Sequence, residues 1–389
     1  MTSLAQEKAQ ENHPLKPAVP MADDRYSRQV LFRGIGAEGQ ARLARSQVAI
    51  VGCGATGSAL AALLARAGVG TLRIIDRDYV EPSNLQRQSL FDEQDASESL
   101  PKAIAAARKI AAFNSQIVVE PKADDVVPAN IEALLKGMEV ILDGTDNFET
   151  RYLINDFAVK NSLPWIYSAA VGSYAATMNV LPGETACLAC IFPDSPRGIV
   201  ETCETSGILN SAVNFVASIA ATETLKLLVG DATNATDGTN ATDGSGGTKA
   251  PHLPSTLRKT LLSFDLWTNE HAEITAAKPR PNCRACGERD FIHLAGEGRP
   301  HITLCGRNSV QIHAVQTHAV LMHDRQRPID FTEMSRRLRP HGTVRHNDFI
   351  LKFWHDPYEM TLFPDGRAII KGTTDTAVAR SLYARYVGS

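Results

Sequence analysis

A short apolar run that breaks into glycines narrows the folds open to this chain more than any other feature. Gln47-Val48-Ala49-Ile50-Val51 is followed by Gly52-Cys53-Gly54-Ala55-Thr56-Gly57, then by an alanine- and leucine-rich stretch from Ser58 to Ala67. Gly68 and Gly70 end that stretch, and Thr71-Leu72-Arg73-Ile74-Ile75 is a second apolar run. Strand, tight turn, helix and strand open a doubly wound, Rossmann-like, mostly parallel sheet of the α/β class. The period continues. Helices are expected at 102–113, 129–136 and 150–160, and strands at 116–120, 140–143 and 164–168. A long apolar helix is expected at 213–229.

Other segments have a different character. Residues 1–23 are polar with Pro14, Pro17 and Pro20, which reads as a disordered leader without the apolar core of a secretory signal. The cytoplasm is the expected compartment. Residues 231–250 repeat Asn-Ala-Thr-Asp-Gly, a low-complexity insert without core-forming side chains. Residues 295–389 read as a small α+β domain of unassigned role. It has a helix near 330–338, strands at 348–354, 358–363 and 367–371, and a closing helix at 375–386. The net charge of -3 across 389 residues gives no basic field, so nucleic acid is not an expected partner. No uninterrupted apolar run approaches the roughly 18 residues of a bilayer span, so no membrane is expected either.

Gly52, Gly54 and Gly57 let the backbone approach a phosphate at a helix N-terminus, where free N–H groups favour anions. A tight turn without a ligand has the same spelling. Asp76, with Asp78, ends the second strand, where such folds place an acid on ribose hydroxyls. The polar segment after that strand separates ATP from NAD. Ser83-Asn84-Leu85-Gln86-Arg87-Gln88 supplies Asn84 and Arg87, and Lys102 opens the next helix. Two cations suit a triphosphate and the charge that develops as pyrophosphate leaves. Asp146, beyond the fourth strand in Asp143-Gly144-Thr145-Asp146-Asn147, suits Mg²⁺ on phosphates. Asn147 is either a ligand to adenine or phosphate or a plain helix cap.

These motifs, in this order, resemble the ThiF/MoeB family, the bacterial relatives of ubiquitin-activating enzymes. Arg25-Tyr26-Ser27-Arg28-Gln29 resembles the family's N-terminal motif, and the resemblance extends over residues 24–290. It implies ATP-dependent adenylylation of the C-terminal glycine of a ubiquitin-like sulfur carrier protein, in thiamine or molybdopterin biosynthesis. It implies that Asp76 holds ribose, that Asn84, Arg87 and Lys102 handle phosphates, and that Asp146 holds magnesium. Arg28 resembles the arginine that enters the neighbouring subunit's site, which implies a homodimer. The carrier ends in Gly-Gly, and a cysteine desulfurase or sulfurtransferase is a further candidate partner.

The chain has seven cysteines, four of them in Cys187-x-x-Cys190 and Cys283-x-x-Cys286. Two such pairs suit one tetrahedral Zn²⁺, with a redox pair as the rival reading. The resemblance also implies a structural zinc. Cys203, in a polar stretch, resembles the cysteine that links covalently to the carrier in some members; a passive thiol is the alternative. Cys53 reads as a small filler, and Cys305 has no partner in sequence. His313, His318 and His323 recur at a spacing that fits neither a helix face nor a strand face. Two other functions stay open: an NAD-dependent oxidoreductase, against which the Arg87, Lys102 and Asp146 cluster argues, and a non-catalytic nucleotide-binding scaffold.

Overall fold

The computed structural model describes residues 24–193, 205–230, 254–296, 303–304, 309–312 and 329–388. The leader at 1–23, the insert at 231–250, Cys203, Cys305 and the three spaced histidines lie outside the described residues.

The first sheet contains β1 (Gln47–Val51), β2 (Thr71–Ile75), β3 (Val118–Lys122), β4 (Val140–Asp143), β5 (Trp165–Val171), β6 (Tyr174–Val180), β7 (Thr260–Asp265) and β8 (Glu270–Thr275). Its order is β3-β2-β1-β4-β5-β6-β7-β8. The first five strands run parallel, and β6 to β8 extend the sheet antiparallel. Four of the five β1 positions are buried, as expected of a strand covered on both faces. Pro121 sits in β3, at the sheet edge, where a missing N–H costs no ladder bond. From β1 the chain steps one way to β2 and β3, and later steps the other way to β4 and β5. This reversal opens a crevice beyond the carboxyl ends of β1 and β4, the place where open α/β sheets bind ligands.

Helices Ala55–Ala67 and Asn210–Val229 cover one face, and their Leu60, Leu64, Ala217 and Ala220 pack with Val48, Ile50 and Leu142. The second helix is 20 residues long with a mean hydropathy of 1.4, apolar enough to cross a membrane by length and composition alone. The sequence criterion of an uninterrupted run passed over it. Half of that window is buried against strands and helices, so it is also what a core helix looks like. On the other face, helix Phe148–Lys160 brings Tyr152, Ile154 and Phe157 onto Trp165 and Met178.

A second, fully antiparallel sheet contains β9 (Thr303–Leu304), β10 (Ser309–Ile312), β11 (Thr343–His346), β12 (Leu351–His355), β13 (Tyr358–Leu362) and β14 (Ala368–Lys371). Its order is β11-β12-β13-β14-β10-β9. Helices Phe331–Leu338 and Thr376–Tyr386 cover one face, with Asp330 and Asp375 accepting the first N–H groups as caps. Neighbouring side chains on β14 point to opposite faces. Ile370 joins the helices, whereas Ile369 packs with Ile350, Phe363 and Tyr79 of the first domain.

Candidate functional site

The crevice is built from two loops that touch through their backbones. Gly52 has φ +86°, a conformation that favours glycine. A Cβ on Gly57 would lie 1.8 Å from the Gly52 carbonyl oxygen, and one on Gly144 would lie 2.3 Å from the same atom. A side chain at Gly57 would break the turn itself, and one at Gly52 or Gly144 would drive the loops after β1 and β4 apart. Behind the turn, helix Ala55–Ala67 directs its N-terminus at the crevice.

At the end of β2, the Asp76 carboxylate is 8% exposed and accepts the Cys53 and Asp78 backbone N–H groups at 2.5 and 2.7 Å. Burial pushes its pKa up, the Lys102 ammonium opposes that shift, and the Asp78 charge adds to it. Lys102 is itself 3% exposed, with Nζ 3.1 Å from Asp78 Oδ2. The structure thus gathers Asp76, Asp78 and Lys102 into one buried charge cluster beside the glycine turn. Burial, more than the neighbouring Asp76, also pushes the Cys53 thiol up, so it is no nucleophile.

Asn84 is buried, and its Oδ1 accepts the Glu81 backbone N–H at 3.1 Å, closing the short turn Pro82–Asn84. Arg87 is half-buried and donates to the Ser83 carbonyl at 2.9 Å. The Gln88 side chain is 3% exposed, and its Oε1 has no hydrogen-bond partner among the described residues. Its Nε2 is 4.0 Å from where a Gly54 Cβ would stand, so this amide borders the glycine turn. A buried acceptor without a partner is costly, and a donor entering the crevice would relieve that cost. Asp146 is exposed at the mouth of the crevice. Asn147 caps helix Phe148–Lys160, its Oδ1 accepting the Thr150 N–H at 2.9 Å.

Sequence reasoning missed Arg151. Its buried guanidinium donates to Asp143 Oδ2 at 2.8 Å and to the Thr145 and Ser168 carbonyls at 2.7 and 3.0 Å. It fixes the loop that carries Asp146. The available signal was an arginine one turn past the capping Asn147, which alone reads as a solvated charge.

Arg28 does not join the cluster within one chain. It is exposed on the short helix Ser27–Val30, which Gln29 ties to the Ala67 carbonyl at 2.7 Å. That carbonyl lies at the far end of the 13-residue helix that starts at the glycine turn. At 1.5 Å per residue the separation is roughly 20 Å.

The four Sγ atoms of Cys187, Cys190, Cys283 and Cys286 lie within 4.8 Å of one another, at 3.3 to 3.8 Å for three of the pairs. A tetrahedral ion with Zn–S bonds of about 2.3 Å separates its sulfurs by about 3.8 Å. Donor set and spacing therefore fit zinc. The Arg280 backbone N–H adds a hydrogen bond to Cys190 Sγ at 3.4 Å.

On helix Phe148–Lys160, Asp156 is fully buried, with Oδ2 accepting the His293 N–H at 3.0 Å and Oδ1 without a hydrogen-bond partner among the described residues. Burial pushes its pKa from 3.8 up to about 6. Between those values the folded chain holds a proton that the unfolded chain releases, so stability falls as pH rises through the window. Asp156→Asn is expected to abolish that fall and to gain roughly 1–3 kcal/mol at pH 7. Urea midpoints measured from pH 4 to pH 7 check it; a variant that keeps the wild-type slope would rule it out.

A doubly wound sheet with a glycine turn at its reversal point defines a Rossmann-like nucleotide-binding protein. The crystal structure of E. coli MccB with ATP shares this fold at a TM-score of 0.54 and 22% identity, over 68% of this chain and 75% of that one. Residues 26–285 match the ThiF family, and the chain belongs to it. It is 41% identical over 367 residues to the sulfur carrier protein ThiS adenylyltransferase of Bacillus subtilis (strain 168), covering 94% of this chain and 99% of that protein. It is 38% identical to the SAMP-activating enzyme E1 of Haloferax volcanii, covering 68% of this chain and 89% of that protein.

Proposed function

We propose that this chain uses ATP to adenylylate the C-terminal glycine of a ubiquitin-like sulfur carrier protein, of ThiS or MoaD kind, in thiamine or molybdopterin cofactor biosynthesis. The observation that carries the reading is the buried Asp76, Asp78 and Lys102 cluster beside the glycine turn, in a chain of the ThiF family. The match to a ThiS adenylyltransferase along nearly its whole length favours a ThiS-like carrier.

In this reading Gly52, Gly54 and Gly57 admit the phosphates to the helix N-terminus. Asp76 accepts hydrogen bonds from ribose hydroxyls. Lys102, Arg87 and Asn84 handle the phosphates, the two cations balancing their charge, and Asp146 would hold a Mg²⁺ that supplies further neutralising charge. The carrier's carboxylate oxygen attacks the α-phosphorus, the bond to the bridging oxygen of the β-phosphate breaks, and pyrophosphate leaves. No side-chain nucleophile is needed, so positioning and charge supply the rate. Zinc on the four cysteines has a structural role, and Cys203 is the candidate for a later covalent link to the carrier. A cysteine desulfurase or sulfurtransferase would supply the sulfur.

Exchange of labelled pyrophosphate into ATP, with a purified carrier ending in Gly-Gly, tests the proposal. Absence of carrier-dependent exchange would sink it, and reduction of NAD would favour an oxidoreductase.

The distance of Arg28 from its own crevice supports a homodimer with shared sites. Leu31 and Phe32, next to it, are 73% and 66% exposed, an apolar pair suited to cover by a second copy. Mixing Arg28→Ala and Asp146→Ala proteins is expected to restore up to about a quarter of wild-type exchange, one intact site per mixed dimer. Mixtures no more active than either parent would argue for self-contained sites.

A further inference from the structure

The segment from Asp76 to Glu81 is gripped from two sides. Its side chains divide between two neighbours. Asp76 and Asp78 turn to the glycine turn and to Lys102. Tyr79 and Glu81 turn to the antiparallel domain, and Arg77 reaches it through Asp125. Arg77 pairs with Asp125 at 3.2 Å, and Gln311 of β10 donates to the same carboxylate at 2.8 Å. Tyr79 has its hydroxyl 3.3 Å from Thr361 Oγ1 and its ring under the Lys352 ammonium, 4.1 Å from the ring centre. Glu81 pairs with Lys371 at 2.5 Å.

The backbone is held as well. Arg367, 3% exposed and stacked over Phe363, donates Nη1 to the Arg77 carbonyl at 3.0 Å and Nη2 to the Ala123 carbonyl at 3.5 Å. That carbonyl of Arg77 lies between the two acids of the nucleotide cluster. A shift of even about 1 Å there would move both carboxylates relative to Lys102 and the turn. Gln311 and Thr361 are buried with Arg367, so water does not compete for these bonds.

We infer that Arg367, Gln311 and Lys371 are positioning residues for the ATP site, and that the antiparallel domain is part of the adenylation apparatus. This rests on the adenylylation reading. The domain sets the conformation of the Asp76–Glu81 segment before ATP arrives, so its contacts act on ATP affinity and leave carrier affinity alone.

The test uses the full chain. The dissociation constant for ATP is measured by calorimetry without carrier, and the KM values for ATP and carrier are measured by pyrophosphate release. Arg367→Met is expected to weaken ATP binding and raise the KM for ATP by about 10-fold or more, from the loss of charged hydrogen bonds to buried carbonyls. The KM for carrier is expected to stay within about 2-fold. Arg367→Lys, which keeps the charge without the fork, is expected to recover part of the loss. Lys371→Met removes a less buried contact, so it tests the same idea should Arg367→Met fail to fold; about a 3-fold weakening is expected. Arg345→Met, on the far strand β11, serves as a control with wild-type ATP affinity. Wild-type ATP affinity in both folded Arg367→Met and Lys371→Met overturns the inference while the function stands. Equal rises in both KM values also overturn it. A wild-type protein that binds no ATP overturns the functional reading, and this inference with it.

Discussion

Replacing Lys102 by alanine is expected to lower carrier-dependent pyrophosphate exchange by about 10²- to 10³-fold, the order of loss on removing one preorganised group that stabilises developing negative charge. The size follows from burial. The ammonium is 3% exposed and sits 3.1 Å from Asp78, with Asp76 in the same cluster. Without it, the Asp76 and Asp78 carboxylates lose the ammonium that offsets their mutual repulsion. They would take up protons or repel the triphosphate, and either outcome raises the barrier. Exchange assays with and without carrier check the loss, and thermal melts separate it from unfolding. A folded Lys102→Ala protein within about 5-fold of wild-type exchange would remove Lys102 from the site. Arginine at this position is expected to rescue poorly, because the buried slot next to Asp78 was shaped by a point charge.

Removing the zinc proposed for the four-cysteine cluster, or replacing Cys190 by alanine, is expected to cost more than about 4 kcal/mol of stability. The reason lies in β8. All six of its positions are exposed, and on the return from it to Asp290 the buried residues are Ala276, Cys283 and Ala285 alone. Cys283 and Cys286, on that return, are anchored to Cys187 and Cys190 beneath helix Phe148–Lys160. Release of one equivalent of zinc to a colorimetric chelator, with a large fall in melting temperature, checks the expectation. Native protein whose four thiols react freely, with no metal by elemental analysis, would exclude it.

The sequence made some parts of this molecule plain. The run from Gln47 to Val51, with the glycines after it, identified β1, the turn and the following helix, because a buried parallel strand has no polar alternation to obscure it. The expected helix at 102–113 coincides with Lys102–Phe113. The antiparallel extension was harder. β8 reads Glu-His-Ala-Glu-Ile-Thr, with no apolar face to mark it, and β6 is rich in alanine. β10 and β11, of four residues each, gave no usable period.

The site divided in the same way. Asp76 and Lys102 were legible because one follows β2 directly and the other opens helix Lys102–Phe113 at the sheet's carboxyl edge, and the structure brings both together with Asp78. The side-chain oxygen of Asn147 is engaged as a helix cap, the plainer of its two readings. Arg151 was illegible because its partners, Asp143 and Ser168, come together only when β4 and β5 pair. Arg367 was harder still, since its partner lies 290 residues away and carries no matching side chain, only a carbonyl.

That 290-residue span sets a schedule. At about 5–20 residues per second, a ribosome reaches Arg367 roughly 15–60 s after it has made Arg77. For that interval the nascent sheet can pair, and its glycine turn can form, while the loop between its two acids still lacks the partner that fixes it. Full affinity for ATP is therefore a late event in the life of each chain, arriving with the last strand of the second sheet. A ribosome that stalls short of β14 would leave a polypeptide with a folded first sheet and a slack nucleotide loop, one that still meets the carrier but holds ATP weakly.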